Sequence, residues 1–158
     1  MAIRNNVTRL LDAKNVPYSV HELPTEQKLG ALEVAGLLGL PPESVYKTIV
    51  ATRPKPKKPV LALVPAPSEV DLKALASALG EKKVSMATEK EAERLTGLAA
   101  GGISALALLH KPFQVVIDDT AARLEQIFVS GGQRGMDIGI APHTLLELTD
   151  GVFAPIRK

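Results

Sequence analysis

The chain has 158 residues, 46% of them hydrophobic and 23% charged, which suits one domain with its own core and excludes a disordered protein. Nineteen basic residues against seventeen acidic ones leave a net charge of +2, too mild to mark a nucleic-acid binder by charge alone. With no cysteine there is no disulfide framework, thiolate nucleophile or zinc finger, and aromatics at 3% leave the core to aliphatic side chains.

At the start, Ile3, Val7, Leu10 and Leu11 fall at helical spacing, and "KNVP" closes that helix. The charge and two asparagines of "MAIRNNVTRLL" interrupt the apolar stretch that a signal peptide needs. "YSVHEL" reads as a short strand, and Leu32, Ala35 and Leu38 predict a second helix closed by Gly39 before Pro41 and Pro42. "VYKTIVA" and "VLALVP" are β-branched, apolar runs that "TRPKPKKP" joins as a hairpin. Asp71 is placed to cap a helix carrying Leu72, Leu75 and Leu79, with Gly80 as its stop. "KVSMA" follows as a strand, and Thr88 with Glu91 forms a capping box for a helix that Gly97 ends. The longest apolar run, "GLAAGGISALALL", is shorter and richer in glycine than the ~20 residues of a membrane helix, so a cytoplasmic protein without a membrane partner is expected. "QVVID", "QIFVS" and "MDIGI" are strands, and Pro142 opens a last short helix through Leu148. Strands and helices alternate irregularly with no internal repeat or linker, which predicts a mixed α/β, or α+β, single domain over residues 1–158.

Four constellations could carry chemistry. In "IFVSGGQRGMDIGI" the five residues Gly131 to Gly135 are a normal length for a glycine-bearing hairpin loop, followed by a strand with Asp137 and Gly139 on one face. The glycines either supply positive φ beneath a solvated Arg134, or bare the backbone so that a ligand can approach. In "AAGGIS", Gly101, Gly102 and Ser104 either expose N–H groups to an anion or developing oxyanion, or form a turn leading into a buried strand. Lys47 shares a strand face with Val45, Ile49 and Ala51, so it either snorkels to water or points into a cavity as a site for an anion or a carbonyl oxygen. Arg53, Lys55, Lys57 and Lys58 alternate with prolines in one loop that is either solvated or touches phosphates. His21, His110 and His143 are scattered and pair with no obvious acid or serine, which leaves no metal site and no Ser-His-Asp triad.

"VYKTIV", "DLKALASALGEKKVSMA", "LTGLAAGGIS" and "IFVSGGQRGMDI" occur in this order and at this spacing in the YbaK family, and the chain resembles that family over nearly its whole length. The family comprises free-standing aminoacyl-tRNA editing proteins similar to the editing domain inserted in bacterial prolyl-tRNA synthetases. The resemblance implies a mixed, largely antiparallel sheet curled into a barrel-like core with helices around it. It implies hydrolysis of the ester between a wrong amino acid and the tRNA 3′-terminal ribose, typically Cys or Ala on tRNA for proline. The family's lysine corresponds to Lys47, flanked by Tyr46 and Thr48. Its first glycine loop corresponds to Gly101, Gly102, Ile103 and Ser104. Its hairpin corresponds to Ser130, Gly131, Gly132, Arg134 and Gly135, with the following acid at Asp137.

On this resemblance Lys47, Gly101 and Gly102 are the catalytic set: Lys47 anchors the substrate's 3′ end or carbonyl and N–H groups around Gly102 stabilise the oxyanion. The other matched residues, with Leu29, bind substrate. A vicinal ribose hydroxyl, a water or the substrate's own thiol attacks, and neither metal nor cofactor is required. The implied partners are the 3′ end of an aminoacylated tRNA and, as a candidate, prolyl-tRNA synthetase. Leu23 and Leu29 stand where cysteine-specific relatives often carry aromatics, and Ala105 stands where many have proline, so the amino acid accepted is open. Two other readings share these residues: a non-catalytic tRNA- or synthetase-binding module of the same fold, and a hydrolase of a small-molecule ester.

Overall fold

A computed structural model describes residues 3–158; Met1 and Ala2, which belong to the opening of "MAIRNNVTRLL" and to the expected 1–158 domain, lie outside the described residues. The α-helices are α1 (Asn6–Ala13), α2 (Ala31–Leu38), α3 (Leu72–Leu79), α4 (Glu89–Thr96) and α5 (Pro142–Thr149). The strands are β1 (Ser19–Glu22), β2 (Tyr46–Thr52), β3 (Val60–Pro65), β4 (Ser85–Met86), β5 (Gln114–Asp118), β6 (Ile127–Ser130), β7 (Met136–Ile140) and β8 (Val152–Ala154). Among the described residues no helix is long and apolar enough to cross a membrane.

Two sheets carry the fold, in the orders β1-β7-β6 and β4-β2-β3-β5-β8. The mixed, largely antiparallel character is as expected: β3 and β5, and β5 and β8, run parallel, while the other pairings are antiparallel. All six residues of β3 are buried, because β3 is central and covered on both faces. Its side chains alternate between two cores: Leu61 and Leu63 join one with Ile117, Ile138 and Leu145, while Val60, Ala62 and Val64 join another with Leu75 and Ile156. A third cluster lies under α2, where Val34 and Ala35 meet Val45, Ala66 and Phe128.

The sheets meet at one bridge, Val45 to Phe128. The outer edge of β2 is thus joined to β6 at its beginning and to β4 at its end, where Ala51 and Thr52 pair with Met86 and Ser85. From Lys47 to Ile49 that edge has no strand partner among the described residues, and this split positions the site.

The helix caps follow the sequence signals. Asp71 accepts from the N–H groups of Lys73 and Ala74 at 3.0 and 3.1 Å, and the Thr88–Glu91 capping box opens α4. The first helix starts later than Ile3, since Asn5 and Thr8 form a capping box that fixes its origin. Asn5 Nδ2 also donates to the carbonyl of Gly131 and to Gln133 Oε1, both at 3.0 Å, tying α1 to the β6–β7 loop.

Three segments differ from the sequence reading or go beyond it. The run after "GGIS" is not a buried strand: Leu106–Leu108 form a 3-10 turn, with Ser104 Oγ accepting from the Leu106 N–H at 3.2 Å. "KVSMA" contributes only Ser85–Met86 to the sheet, because it meets only the last residues of β2. The short edge strand β8 has no counterpart among the predicted elements. It is followed by a C-terminal segment held by Asp118, whose fully buried carboxylate accepts from the Ile156 and Arg157 N–H groups at 3.0 and 3.1 Å.

Candidate active site

The gap beside β2 opens into a cleft of about 460 Å³, within the usual range of small-ligand sites. It is lined by Lys47, Thr48 and Ile49 of β2, by Gly101 and Ile103, by Ser130 and Asp137 of the β6–β7 hairpin, and by Leu29 with Val34 of α2. Lys47 is half-buried, and its nearest acceptor is the Ala66 carbonyl at 3.4 Å, a long contact that leaves the ammonium available.

Asp137 sits across the site on β7, opposite Ser130 in the strand register. Only 8% of its surface is exposed and no hydrogen bond holds its carboxylate among the described residues, so burial raises its carboxyl to about 6. A carboxylate left in that state is poised to gain a cation or a proton.

The first glycine loop divides its work. Gly101 lines the cleft at φ +89°. Gly102 does not line it: its N–H donates to the Ala99 carbonyl at 2.9 Å, and a Cβ there would meet the Gln133 backbone at 2.9 Å. Gly102 is therefore a packing glycine, and its own N–H is committed. The flanking N–H groups of Gly101 and Ile103 have no protein acceptor among the described residues. Ser104 is fully buried, its Oγ accepting from the Leu106 N–H, and it does not reach the cleft.

The β6–β7 hairpin is split in the same way. Ser130 and Asp137 face the cleft, whereas Gly131 and Gly132 line a second cavity of about 590 Å³ on the side of α1. A Cβ on Gly131 would lie 2.7 Å from Met136 Cγ, so this residue is bare to admit a core side chain. Gly135, at φ +81°, lies against the segment after β1 and accepts from the Leu23 N–H at 2.9 Å. Arg134 is exposed and donates from Nε to the Ala100 carbonyl at 2.9 Å, which lays its side chain over Gly101. Tyr46 contributes to the cleft wall, but its hydroxyl is turned away to Thr120 Oγ1 at 2.7 Å.

Other lining residues escaped sequence reasoning, notably Lys28, Met86 and Glu89. No signal in one sequence marks them, since each comes from a different element and only the fold brings them together. The basic loop is also better anchored than its composition suggests: Arg53 and Lys57 both reach the carboxylate of Glu81, at 3.6 and 2.6 Å. His21 does have a serine neighbour, Ser19 Oγ at 2.8 Å, because residues two apart share a strand face.

A family model for the aminoacyl-tRNA editing domain matches residues 25–148. An Enterococcus faecalis protein provisionally named a Cys-tRNA(Pro)/Cys-tRNA(Cys) deacylase, EbsC, is 39% identical over 97% of this chain and 93% of its own length. The proline–tRNA ligase of Geobacter metallireducens is 32% identical over 90% of this chain, which spans 24% of that ligase. The crystal structure of a protein provisionally described as a trans-editing enzyme for prolyl-tRNA synthetase superposes with a TM-score of 0.80 at 23% identity, covering 99% of both chains. A second crystal structure, of a hypothetical protein, superposes with a TM-score of 0.85 at 21% identity, covering 98% of this chain and 100% of the other. At these identities the two structures speak for the fold.

Proposed function

The chain belongs to the aminoacyl-tRNA editing domain family, and from that premise we propose that it acts in trans to hydrolyse the ester of a mischarged tRNA. The single observation that carries this reading is the meeting of Lys47, the bare backbone at Gly101 and the buried Asp137 around one cleft. An aminoacyl ester offers a complementary group for each. Its carbonyl oxygen becomes an oxyanion during attack, and the Lys47 ammonium with the free N–H groups of Gly101 and Ile103 supplies donors for it. Its α-ammonium suits the Asp137 carboxylate, which otherwise has no partner.

The step is a hydrolysis. The attacking oxygen adds to the carbonyl carbon, the bond to the ribose oxygen breaks, and that oxygen takes a proton. A water supplies the attacking oxygen and its proton goes to the ribose oxygen. Attack by the vicinal ribose hydroxyl moves the acyl group to that oxygen, from which water must still release it. The thiol of a cysteinyl ester instead forms a carbon–sulfur bond as the ester bond breaks, passes its proton to the ribose oxygen and leaves a cyclic thioester that water then opens. The aliphatic walls at Leu29, Ile49 and Ile103 suit a small side chain, so Cys or Ala on tRNA for proline is the proposed substrate. The similarity to part of a proline–tRNA ligase supports capture of that substrate alongside prolyl-tRNA synthetase.

Purified protein mixed with Cys-, Ala- and Ser-charged tRNA for proline is expected to release at least one of the amino acids. Failure to release any of them, with the tRNA intact and the protein folded, overturns the proposal.

A further inference from the structure

Lys28, in the segment between β1 and α2, donates to Glu89 Oε2 at 2.5 Å. Glu89 is the first residue of α4, and both side chains line the cleft. Lys28 also passes Gly101, where a Cβ would stand 3.0 Å from Lys28 Cγ and 3.4 Å from both Cγ and Nε of Arg134. Two cationic side chains therefore cross the same stretch of bare backbone. Arg134 spends Nε on the Ala100 carbonyl, and its terminal nitrogens have no protein acceptor among the described residues. Glu89 pairs with Lys28, whose hydrogen bond and charge, with a smaller contribution from the Arg134 charge, hold its carboxyl below the ordinary range.

We propose that Glu89 is a placeholder for a phosphate: it keeps Lys28 beside Arg134 until a phosphodiester of the incoming RNA 3′ end displaces it. The inference rests on the cleft being the editing site and adds Lys28 and Glu89 to its binding machinery. Three features favour exchange. The Lys28 and Glu89 side chains are 46% and 62% exposed, and an ion pair in contact with water contributes little and is readily given up. A phosphodiester carries the same single charge as the carboxylate it replaces. It also offers oxygens to both cations, and the free terminal nitrogens of Arg134 form the fork that binds such oxygens in pairs. Gly101 has no side chain, which lets the stems of Lys28 and Arg134 cross the same stretch of backbone and brings the two cationic side chains together.

A purely structural strap, fastening the segment over the cleft, makes a different prediction. Breaking the pair from either end would then loosen the segment and weaken binding alike. The placeholder makes the two ends opposite in sign. Lys28→Ala and Glu89→Gln are compared with the wild type on whichever charged tRNA for proline the wild type hydrolyses, across a series of KCl concentrations.

Lys28→Ala is expected to raise KM about five-fold and to flatten the slope of log KM against log salt by roughly 0.7, the loss of one phosphate contact on a single strand. Glu89→Gln is expected to lower KM about two-fold, and kcat stays within about two-fold in both. Direct binding of uncharged tRNA for proline gives the same comparison without hydrolysis, so it decides this inference even if no charged tRNA is cleaved. KM or Kd moving in the same direction in both variants overturns the proposal, as does an unchanged salt slope in Lys28→Ala.

Discussion

Gly102 and Gln133 touch main chain to main chain: a Cβ on Gly102 would stand 2.9 Å from Gln133 Cα and 3.0 Å from its carbonyl carbon. The contact joins the two glycine loops, and neither partner can swing aside as a side chain would. Gly102→Ala must therefore displace the loop carrying Gly101 and Ile103 or the hairpin carrying Ser130 and Asp137. The expected destabilisation is about 1–3 kcal/mol, the usual range for overpacking, read as a lowered midpoint in urea. Deacylation by the remaining folded protein should fall as well, because the shift moves the cleft walls. A variant with wild-type stability and rate would show that the loops are not rigidly joined.

Lys47 offers the converse case. Its ammonium has one long contact, at 3.4 Å, and its stem is only half-buried, so little of the fold depends on it. Lys47→Ala should change stability by less than about 1 kcal/mol. It should reduce the rate of amino acid release roughly 100-fold or more, as expected for losing an oxyanion donor. Full activity in the variant would remove Lys47 from the chemistry.

How far the sequence foretold this site follows from the range of each interaction. Caps and strand faces are local, so Thr88 with Glu91, Asp71, and the alternation around Lys47 and Asp137 were legible. The four ordered motifs contain Lys47, Gly101, Ser130 and Asp137, which line the cleft, along with Gly102, Ser104, Gly131 and Gly132, which do not. What a glycine is for was not legible, because it depends on what lies opposite: Gly101 faces the cleft, Gly102 a backbone, and Gly131 the side chain of Met136. The Lys28–Glu89 pair spans 61 positions, and neither residue carries any local mark of the other. The parallel neighbours of β5 were likewise invisible, since nothing in "QVVID" distinguishes them from a hairpin partner.

Asp118 ties the end of the chain to the sheet. Its carboxylate, fully buried, accepts from the Ile156 and Arg157 N–H groups and from Thr120, whose hydroxyl also meets Tyr46 at 2.7 Å. Asp118→Ala would orphan buried donors at once, and about 3 kcal/mol of stability should be lost. Because the C-terminal segment is what those donors belong to, hydrogen exchange at Ile156 and Arg157 should rise more than at β3. Uniform exchange across both would argue against the local clamp.

Asp137 joins function to stability through pH. Burial raises its carboxyl from 3.8 to about 6, so between those values the folded chain holds more of this proton than the unfolded chain does. Stability must then fall as pH rises through that window, and above about pH 6 the full penalty of a buried charge persists, at most roughly 3 kcal/mol. Asp137→Asn removes the charge and should be more stable than wild type at pH 7.5, on the order of 1–3 kcal/mol, with no advantage near pH 4. Urea unfolding at the two pH values reads this directly, and an equal effect at both would mean that the carboxylate is not desolvated. Deacylation should move the other way: wild-type activity falls as pH drops below about 6, where the acid loses the charge that an α-ammonium needs, and the Asn variant is weak throughout. Those two outcomes together would mean that Asp137 costs the fold stability at neutral pH in exchange for a role in release, the trade that buried ionisable groups in active clefts commonly make.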